Sequence, residues 1–422
     1  MDTELAIFTE LIQIASNSPP GNDTTTSSPS TLPPRRSRTL PPTSALAAQV
    51  GGHSGVQTTE DGSLLLKPAL PREVAFYQLV RDGTNPDIDG SLVTGTSGLS
   101  VLLPWIPKFI GLLSLEGRLE EPDVAVEGLA PKIVPANGTY APTQTLVLEN
   151  LTYGFVKPCI LDVKLGTILY DEDASPEKKE RMIRTAERTT SLTTGIRLTG
   201  FQVYANDHPD PIVTPKAYGK SIKPEHLPEG IARFFPVHPS STSTSSASES
   251  ATAPTTIQPG MPRAILLVLL AHLVSGLERL RAALAEAEVR IVGGSVLILY
   301  EGDWARAEEA ARTLQDPTSV CDSVGIGPGE DSSLVEDEDD EEVEVEIDES
   351  GQVIFDTATD IDSDEEKPPP RLATLSLIDF AHTRLAPGQG PDTGVLLGID
   401  TLVRLVRERH DAIKALTGDG NL

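Results

Sequence analysis

Asp162 and Lys164 stand two residues apart in Pro158-Cys-Ile-Leu-Asp-Val-Lys-Leu-Gly166. Side chains alternate between faces in an extended chain, so the carboxylate and the ammonium project to one side while Ile160 and Leu161 give apolar anchorage. Taken alone, an Asp-x-Lys pair is also what a surface strand with a local ion pair looks like, and such pairs carry little energy. What the pair does depends on the other reactive side chains that the chain delivers.

Three further groups have the right types and order. A Gly-rich turn at 49–56 is followed by a strand reading over 63–67 that ends in Lys67, and then by a helical segment at 72–80 with Glu73 in its first turn. Together these would form a nucleotide cradle: loop amides cover phosphates, the lysine reaches phosphate oxygens, and the carboxylate holds the lysine. Ser175, a natural N-cap, and Pro176, suited to the first helical position, open a helix carrying Lys178 and Arg181 three residues apart on one face. Aimed at the cleft of Asp162 and Lys164, that helix would be a polyphosphate grip. Finally, an apolar strand over 372–378 delivers Asp379 in Ile378-Asp-Phe-Ala-His382, a good place for a carboxylate that binds a metal carried by a nucleotide.

The elements that must position these groups can be read in outline. Residues 1–16 have the spacing of a short amphipathic helix, and 17–43 are a Ser/Pro/Thr linker with a basic knot at Arg35-Arg-Ser-Arg38. Order begins near Leu46. Strands are expected over 101–116 and 132–148, the latter running into Glu149-Asn-Leu151-Thr, a hinge whose backbone could read an adenine edge. Further strands are expected at 195–204, 290–302 and 372–378, with helices at 264–290 and 394–409. Gly219-Lys-Ser221 invites a phosphate-loop reading, but the upstream glycine spacing is absent and the reading is rejected.

Composition sets limits on the rest. The 35 Pro and 34 Gly gather in a few stretches, and aromatic residues make up only 4% of the 422. Residues 238–260 are a Ser/Thr/Ala/Pro insertion and 316–370 an acidic one, both outside any packed core. Of the formal charge of −28, the stretch 330–366 contributes −19 with no Lys or Arg, so the remaining chain carries only −9. The acidity therefore does not argue against an anionic ligand elsewhere. Two cysteines, Cys159 and Cys321, form no disulfide framework and fit a reducing compartment. The start of the chain lacks signal-peptide features, and the longest apolar run, 264–271, is too short for a transmembrane segment.

In combination, Pro158-x-x-x-Asp162-x-Lys164-x-Gly166, Gly294-Ser-Val-Leu-Ile298 and Ile378-Asp-Phe-Ala-His382 resemble the signature set of the inositol polyphosphate kinase family. The resemblance covers roughly 46–237, 262–315 and 371–410. It implies an α+β, two-lobed kinase-like fold with ATP between the lobes, interrupted by disordered insertions. The implied organisation is a largely disordered segment 1–45, an N-lobe 46–151 and a C-lobe 152–422. By the resemblance, Lys67 pairs with Glu73 and holds ATP phosphates, Glu149 and Leu151 present the hinge backbone to adenine, and Asp379 binds magnesium with Ser295 close by. Asp162 faces the attacking hydroxyl, Lys164 clamps a phosphate, Lys178 and Arg181 bind substrate phosphates, and His382 lines the inositol site. The serine motif of the family usually has two serines before its leucines; here the first is Gly294.

Residues 169–175 and 199–204 are most similar to fungal-type multikinases, which implies transfer of the γ-phosphate to hydroxyls of inositol tris- and tetrakisphosphates, toward the pentakisphosphate. The alternatives are the branch that makes pyrophosphates from inositol hexakisphosphate, since Asp173-Ala-Ser-x-Glu-Lys-Lys179 also resembles its members, and an assembly factor in transcription complexes with secondary kinase activity. The acidic insertion motivates the last, because such runs bind basic protein partners. A phosphoinositide lipid stays open as a substrate. The expected setting is the nucleus and cytoplasm, and the expected state a monomer.

Overall fold

The computed structural model describes residues 10–11, 43–46, 55–82, 98–115, 118–120, 132–134, 143–239, 259–315 and 369–416. The first half of the chain supplies β1 (Glu10–Leu11), β2 (Thr43–Ala45), β3 (Gln57–Thr59), β4 (Leu64–Pro68), helix α1 (Pro71–Asp82), β5 (Phe109–Leu115), β6 (Arg118–Glu120), β7 (Lys132–Val134) and β8 (Thr143–Glu149). Six of these strands join in the order β1-β5-β8-β4-β3-β2, and β6 pairs with β7. The second half supplies β9 (Pro158–Leu165), α2 (Pro176–Arg188), α3 (Ser191–Thr194), β10 (Ile196–Val203), β11 (Ile212–Thr214), α4 (Lys216–Ser221), α5 (Leu227–Phe234), α6 (Arg263–Glu286), β12 (Val289–Val292), β13 (Ser295–Glu301), α7 (Trp304–Gln315), β14 (Ala373–Ile378), β15 (His382–Leu385) and α8 (Thr393–Ala415). Its main sheet runs β11-β10-β9-β13-β14, with β12 and β15 as a separate pair.

The strand that carries Asp162 and Lys164 lies in the middle of this second sheet, between β10 and β13 and antiparallel to both. All of its residues from Cys159 to Val163 are buried. A strand covered on both faces needs apolar side chains throughout, so two charged residues in it are a departure from pattern that packing alone does not explain. Helices α6 and α8 pack on each other, and one apolar cluster takes in Leu266, Leu269, Leu273 and Leu277 of α6, Ile399, Leu402 and Val406 of α8, and Leu161 and Val163 of β9. Where α8 passes the turn after α3 the backbones nearly touch: a Cβ built on Gly398 would lie 2.4 Å from the Gly195 carbonyl oxygen. Glycine is required there by contact, and at Gly195 by a φ of +67° as well.

The same cluster reaches the first half of the chain through α1, whose Val74, Phe76, Tyr77 and Val80 are buried in it. Phe380 stacks on Phe76 with ring centroids 4.2 Å apart and meets Tyr77 edge-on at 5.6 Å. Burying an aromatic ring of this size is worth about 1.5–3 kcal/mol. Ser376 Oγ adds a hydrogen bond to the Trp105 carbonyl at 3.2 Å.

Several sequence expectations change. Of the helix expected over 1–16 only Glu10 and Leu11 are described, and they form an edge strand on Leu113 and Ser114. Thr43–Ala45 pairs with β3, so two pieces of the segment 1–45 join the first sheet. Composition argues against a packed core, but an edge strand needs only backbone donors and acceptors. Residues 101–105, expected as the start of a strand, belong to a 3-10 helix, Ser100–Trp105, containing Pro104, which has no amide to give to a ladder. The 290–302 strand is two strands in different sheets, broken at Gly293 with φ +77°. Gly219 sits inside α4, consistent with rejecting a phosphate loop. Most of the Gly-rich turn, the basic knot, Cys321 and the acidic block lie outside the described residues.

Candidate active site

Lys67 reaches inward from β4, and its ammonium lies 2.7 Å from Glu73 Oε1 and 2.9 Å from Asp379 Oδ1. Glu73 is in the first turn of α1, where a carboxylate also meets the positive end of the helix dipole. Its Oε1 accepts a second hydrogen bond, from Phe380 N at 3.2 Å. Asp379 follows β14 directly and adopts φ +67°, the left-handed region that Asp enters more readily than most residues at a cost of roughly 1–2 kcal/mol. At this turn Phe380 is buried against α1 while the carboxylate of Asp379 meets both lysines.

The second oxygen of Asp379 meets Lys164: Nζ to Oδ2 is 2.5 Å, and Nζ also donates to the Gly293 carbonyl at 2.9 Å. That carbonyl belongs to the glycine that breaks the strand before Ser295. One carboxylate thus bridges two lysines, one from each half of the chain. Burial opposes ionisation of Asp379, but Lys164 and Lys67 outweigh it and hold its pKa well below the usual carboxylate range. Burial likewise opposes charge on Lys67, yet Asp379 and Glu73 raise its pKa above the ordinary lysine value.

Asp162 and Lys164 do share a sheet face, but they are not an ion pair. Lys164 is taken by Asp379 and Gly293, whereas Asp162, 1% exposed, has a buried Oδ1 with no hydrogen-bond partner. Ser295 stands directly across from Lys164 on one side and Ile378 on the other, fully buried, and its Oγ is also without a partner. Unpaired buried oxygens cost roughly 1–3 kcal/mol each. Their position beside a charged cluster marks a place built to receive a ligand.

Oxygen atoms of Asp379 and Ser295 are donors suited to a hard cation such as Mg²⁺, which is typically held by one or two carboxylates plus substrate phosphates and water. Among the described residues there is no cluster of three or more His, Cys, Asp or Glu side chains that could hold a metal by themselves. The residues fit a metal that arrives with a nucleotide.

Arg197, which the motif reading passed over, lies across from Lys164 on β10. Burial lowers its pKa, the charge of Asp162 partly offsets this, and its guanidinium makes no hydrogen bond or ion pair among the described residues. Its signal in the sequence is a lone cation at an inward position of an apolar strand. On α2, Ser175 caps the helix by accepting from Lys178 N at 3.3 Å with Pro176 at the first position. The side chains of Lys178 and Arg181 are exposed and unpaired among the described residues, while Arg184 is engaged by Glu180. His382 opens β15, with Nδ1 3.3 Å from Asp171 Oδ2. The structure therefore joins Lys67, Glu73, Asp379 and Lys164 by direct contact and sets Asp162 and Ser295 on the adjoining sheet face. No hydrogen bond or ion pair among the described residues joins the side chains of Lys178, Arg181 or His382 to that cluster.

Glu149 and Leu151 flank Asn150 where the chain leaves the first sheet. The Lys108 amide donates to Glu149 Oε1 at 2.8 Å, so the backbone link between the two residues is the single bond from Glu149 N to Lys108 O, 3.0 Å. Asn150 is fixed by its own bonds to Ser63 O and Gly62 O.

A six-stranded sheet with one α-helix, a second lobe built on a five-stranded sheet and the remaining helices, and a lysine, glutamate and aspartate meeting where they join define a two-lobed kinase fold with a phosphoryl-transfer cleft. A family profile described as inositol polyphosphate kinase matches residues 145–407. The inositol polyphosphate multikinase of Saccharomyces cerevisiae is 30% identical over 388 residues, spanning 85% of this chain and 96% of the relative. Inositol hexakisphosphate kinase 1 of Mus musculus is 25% identical over 274 residues, 63% of this chain and 52% of the relative. A crystal structure of the S. cerevisiae inositol phosphate multikinase in complex with ADP and Mn²⁺ aligns with a TM-score of 0.47 and 26% identity, covering 82% of this chain and 99% of that one. The chain belongs to the inositol polyphosphate kinase family. Among the described residues no helix is long and apolar enough to cross a membrane.

Proposed function

We propose that this chain is an ATP-dependent inositol polyphosphate multikinase that phosphorylates hydroxyls of inositol tris- and tetrakisphosphates. The observation that carries the reading is the Asp379 carboxylate bridging Lys67 and Lys164, with the unpartnered oxygens of Asp162 and Ser295 beside it. Phosphoryl transfer needs alignment and charge neutralisation more than covalent chemistry, and this cluster supplies both. The similarity to the yeast multikinase over 85% of the chain favours this branch over the hexakisphosphate kinases, whose similarity spans 63%.

In this reading the acceptor oxygen bonds to the γ-phosphorus, the bond from that phosphorus to the β–γ bridging oxygen breaks, and ADP leaves. Lys67, held by Glu73, grips the nucleotide phosphates, and Lys164 meets the phosphoryl group from the opposite lobe. Asp162 takes the hydroxyl proton late in the transfer, its buried Oδ1 having no competing donor. Mg²⁺, held by Asp379 with Ser295 nearby, would neutralise charge on the phosphates when bound. Glu149 and Leu151 offer backbone groups to adenine. Lys178 and Arg181, without carboxylate partners among the described residues, and His382 take the substrate phosphates.

A phosphoinositide headgroup presents the same clustered phosphates and belongs in the same assay, as does the effect of deleting 330–366 on co-purifying proteins. Purified protein with ATP, Mg²⁺ and each inositol phosphate from the tris- to the hexakisphosphate is expected to convert the lower members stepwise. Turnover confined to the hexakisphosphate would sink the branch assignment, and no turnover on any member would sink the kinase reading.

A further inference from the structure

We propose that Arg72 is a positioning residue that ties the cationic helix α2 to the helix holding the nucleotide lysine; the inference rests on the kinase reading above. Arg72 and Glu73 are neighbours at the start of α1. Glu73 turns inward to Lys67 and Phe380 N. Arg72 turns outward, and its guanidinium forks onto Asp171 and Asp173, one nitrogen to each. Those carboxylates lie on the turn that leads from β9 to the Ser175 cap of α2. The same turn is held from the other lobe, where Asp171 meets His382 and Glu172 pairs with Arg384.

Helix α2 needs such an anchor. Of its 13 residues only Ala186 is buried, so apolar packing does little to fix it. Its C-terminal end is tied down by the segment that follows, where Thr190 Oγ1 donates to the Ile196 carbonyl at 2.6 Å. At its N-terminal end the corresponding tie is the acidic turn. A lone exposed ion pair contributes little, but three consecutive carboxylates shared among Arg72, Arg384 and His382 form a network in which the ordering cost is spread.

Two adjacent residues of α1 therefore serve the two ligands: Glu73 sets the lysine on the nucleotide side, and Arg72 sets the turn that aims Lys178 and Arg181. A ligand that orders the turn favours the α1 position that holds Lys67, and reciprocity makes the nucleotide favour the ordered turn. Were Arg72 instead a direct phosphate ligand, the acidic turn would compete with substrate, and removing its charge would tighten binding.

The test compares wild type with R72A, the double variant D171N/D173N, and their combination. KM and kcat are measured for inositol trisphosphate, and nucleotide Kd with and without that compound. R72A and D171N/D173N are each expected to raise KM for inositol trisphosphate by about fivefold or more, at the lower end of typical coupling between sites, while kcat changes by less than about twofold. The combination should be no worse than D171N/D173N alone, because those two carboxylates are the partners of Arg72 and losing them already cuts its link to the turn. Any tightening of nucleotide binding by inositol trisphosphate should disappear in all three variants. R72K should recover only part of the loss, since a lysine cannot fork onto two carboxylates. Wild-type KM in R72A, additive effects in the combination, or a lowered KM in D171N/D173N would each overturn the proposal. Absence of wild-type turnover would overturn the kinase reading instead, and the same assay reads it separately.

Discussion

The two sets of charges at the cleft differ in how they are held. Lys67, Glu73 and Asp379 are at least nine-tenths buried, with Lys164 at their edge, each bonded to at least one other member of the cluster. The charges of α2 and its preceding turn are mostly exposed, and Lys178 and Arg181 have no carboxylate partner among the described residues. Buried charges interact strongly, little screened by salt, and losing one strands the others. Exposed cations interact weakly, are screened within about 10 Å at 0.1 M salt, and can be lost one at a time. A site that must hold a nucleotide in one geometry yet accept differently phosphorylated rings is served by the first arrangement on one side and the second on the other.

The largest expected effect is that of Asp379→Asn. It removes the carboxylate between two lysines and should lower kcat by about a thousandfold or more, the loss typical of a strong electrostatic clamp. It should also lower thermal stability, because breaking a buried pair costs roughly 3–5 kcal/mol. Single-turnover assays and a thermal melt check both, and near-normal turnover would defeat the assignment. Lys164→Ala should cost about a hundred- to a thousandfold in kcat with a smaller stability loss, since Lys164 is one-fifth exposed.

The pH dependence of stability separates the two regions next. Asp379 is depressed in the folded state, so its contribution is present above the ordinary carboxylate pKa of about 3.9 and is lost as pH falls through its lower folded value. Lys67 is raised, so its contribution is complete below the ordinary lysine value of about 10.4 and lost as pH rises through its higher folded value. Melting temperature against pH should therefore fall at both extremes. Asp379→Asn should flatten the acid limb; an unchanged limb would mean that other carboxylates control it.

Smaller effects are expected on the exposed side. Lys178→Ala and Arg181→Ala should each raise KM for inositol trisphosphate by about five- to tenfold, the equivalent of one charge-assisted contact. Wild-type KM should rise with added salt, and each variant should make that rise shallower. If KM is insensitive to salt, α2 does not contact the substrate phosphates.

Much of this was legible in the residues. The Ser175 cap and Pro176 located α2, because a helix start depends on local side-chain chemistry. Apolar runs located β14 and the cores of α6 and α8 by periodicity alone. The division of 290–302 at Gly293 was not legible, since a glycine permits a left-handed turn without requiring one. Nor was the 3-10 segment at 100–105, where an apolar run suits several structures and Pro104 decides among them only in context.

The sequence by itself determined which side chains are available and which local elements carry them: Asp162 and Lys164 on one strand face, Lys67 before Glu73, and Asp379 at a strand end. Only the tertiary structure decided how they pair. Lys164 is bound to Asp379, 215 residues away, rather than to Asp162 two residues away. In β9 the geometry sends both side chains to one face, but which carboxylate an ammonium meets is set by the neighbouring strands and the turns that end them. Sequence periodicity fixes direction within an element, whereas distance across elements is fixed by packing.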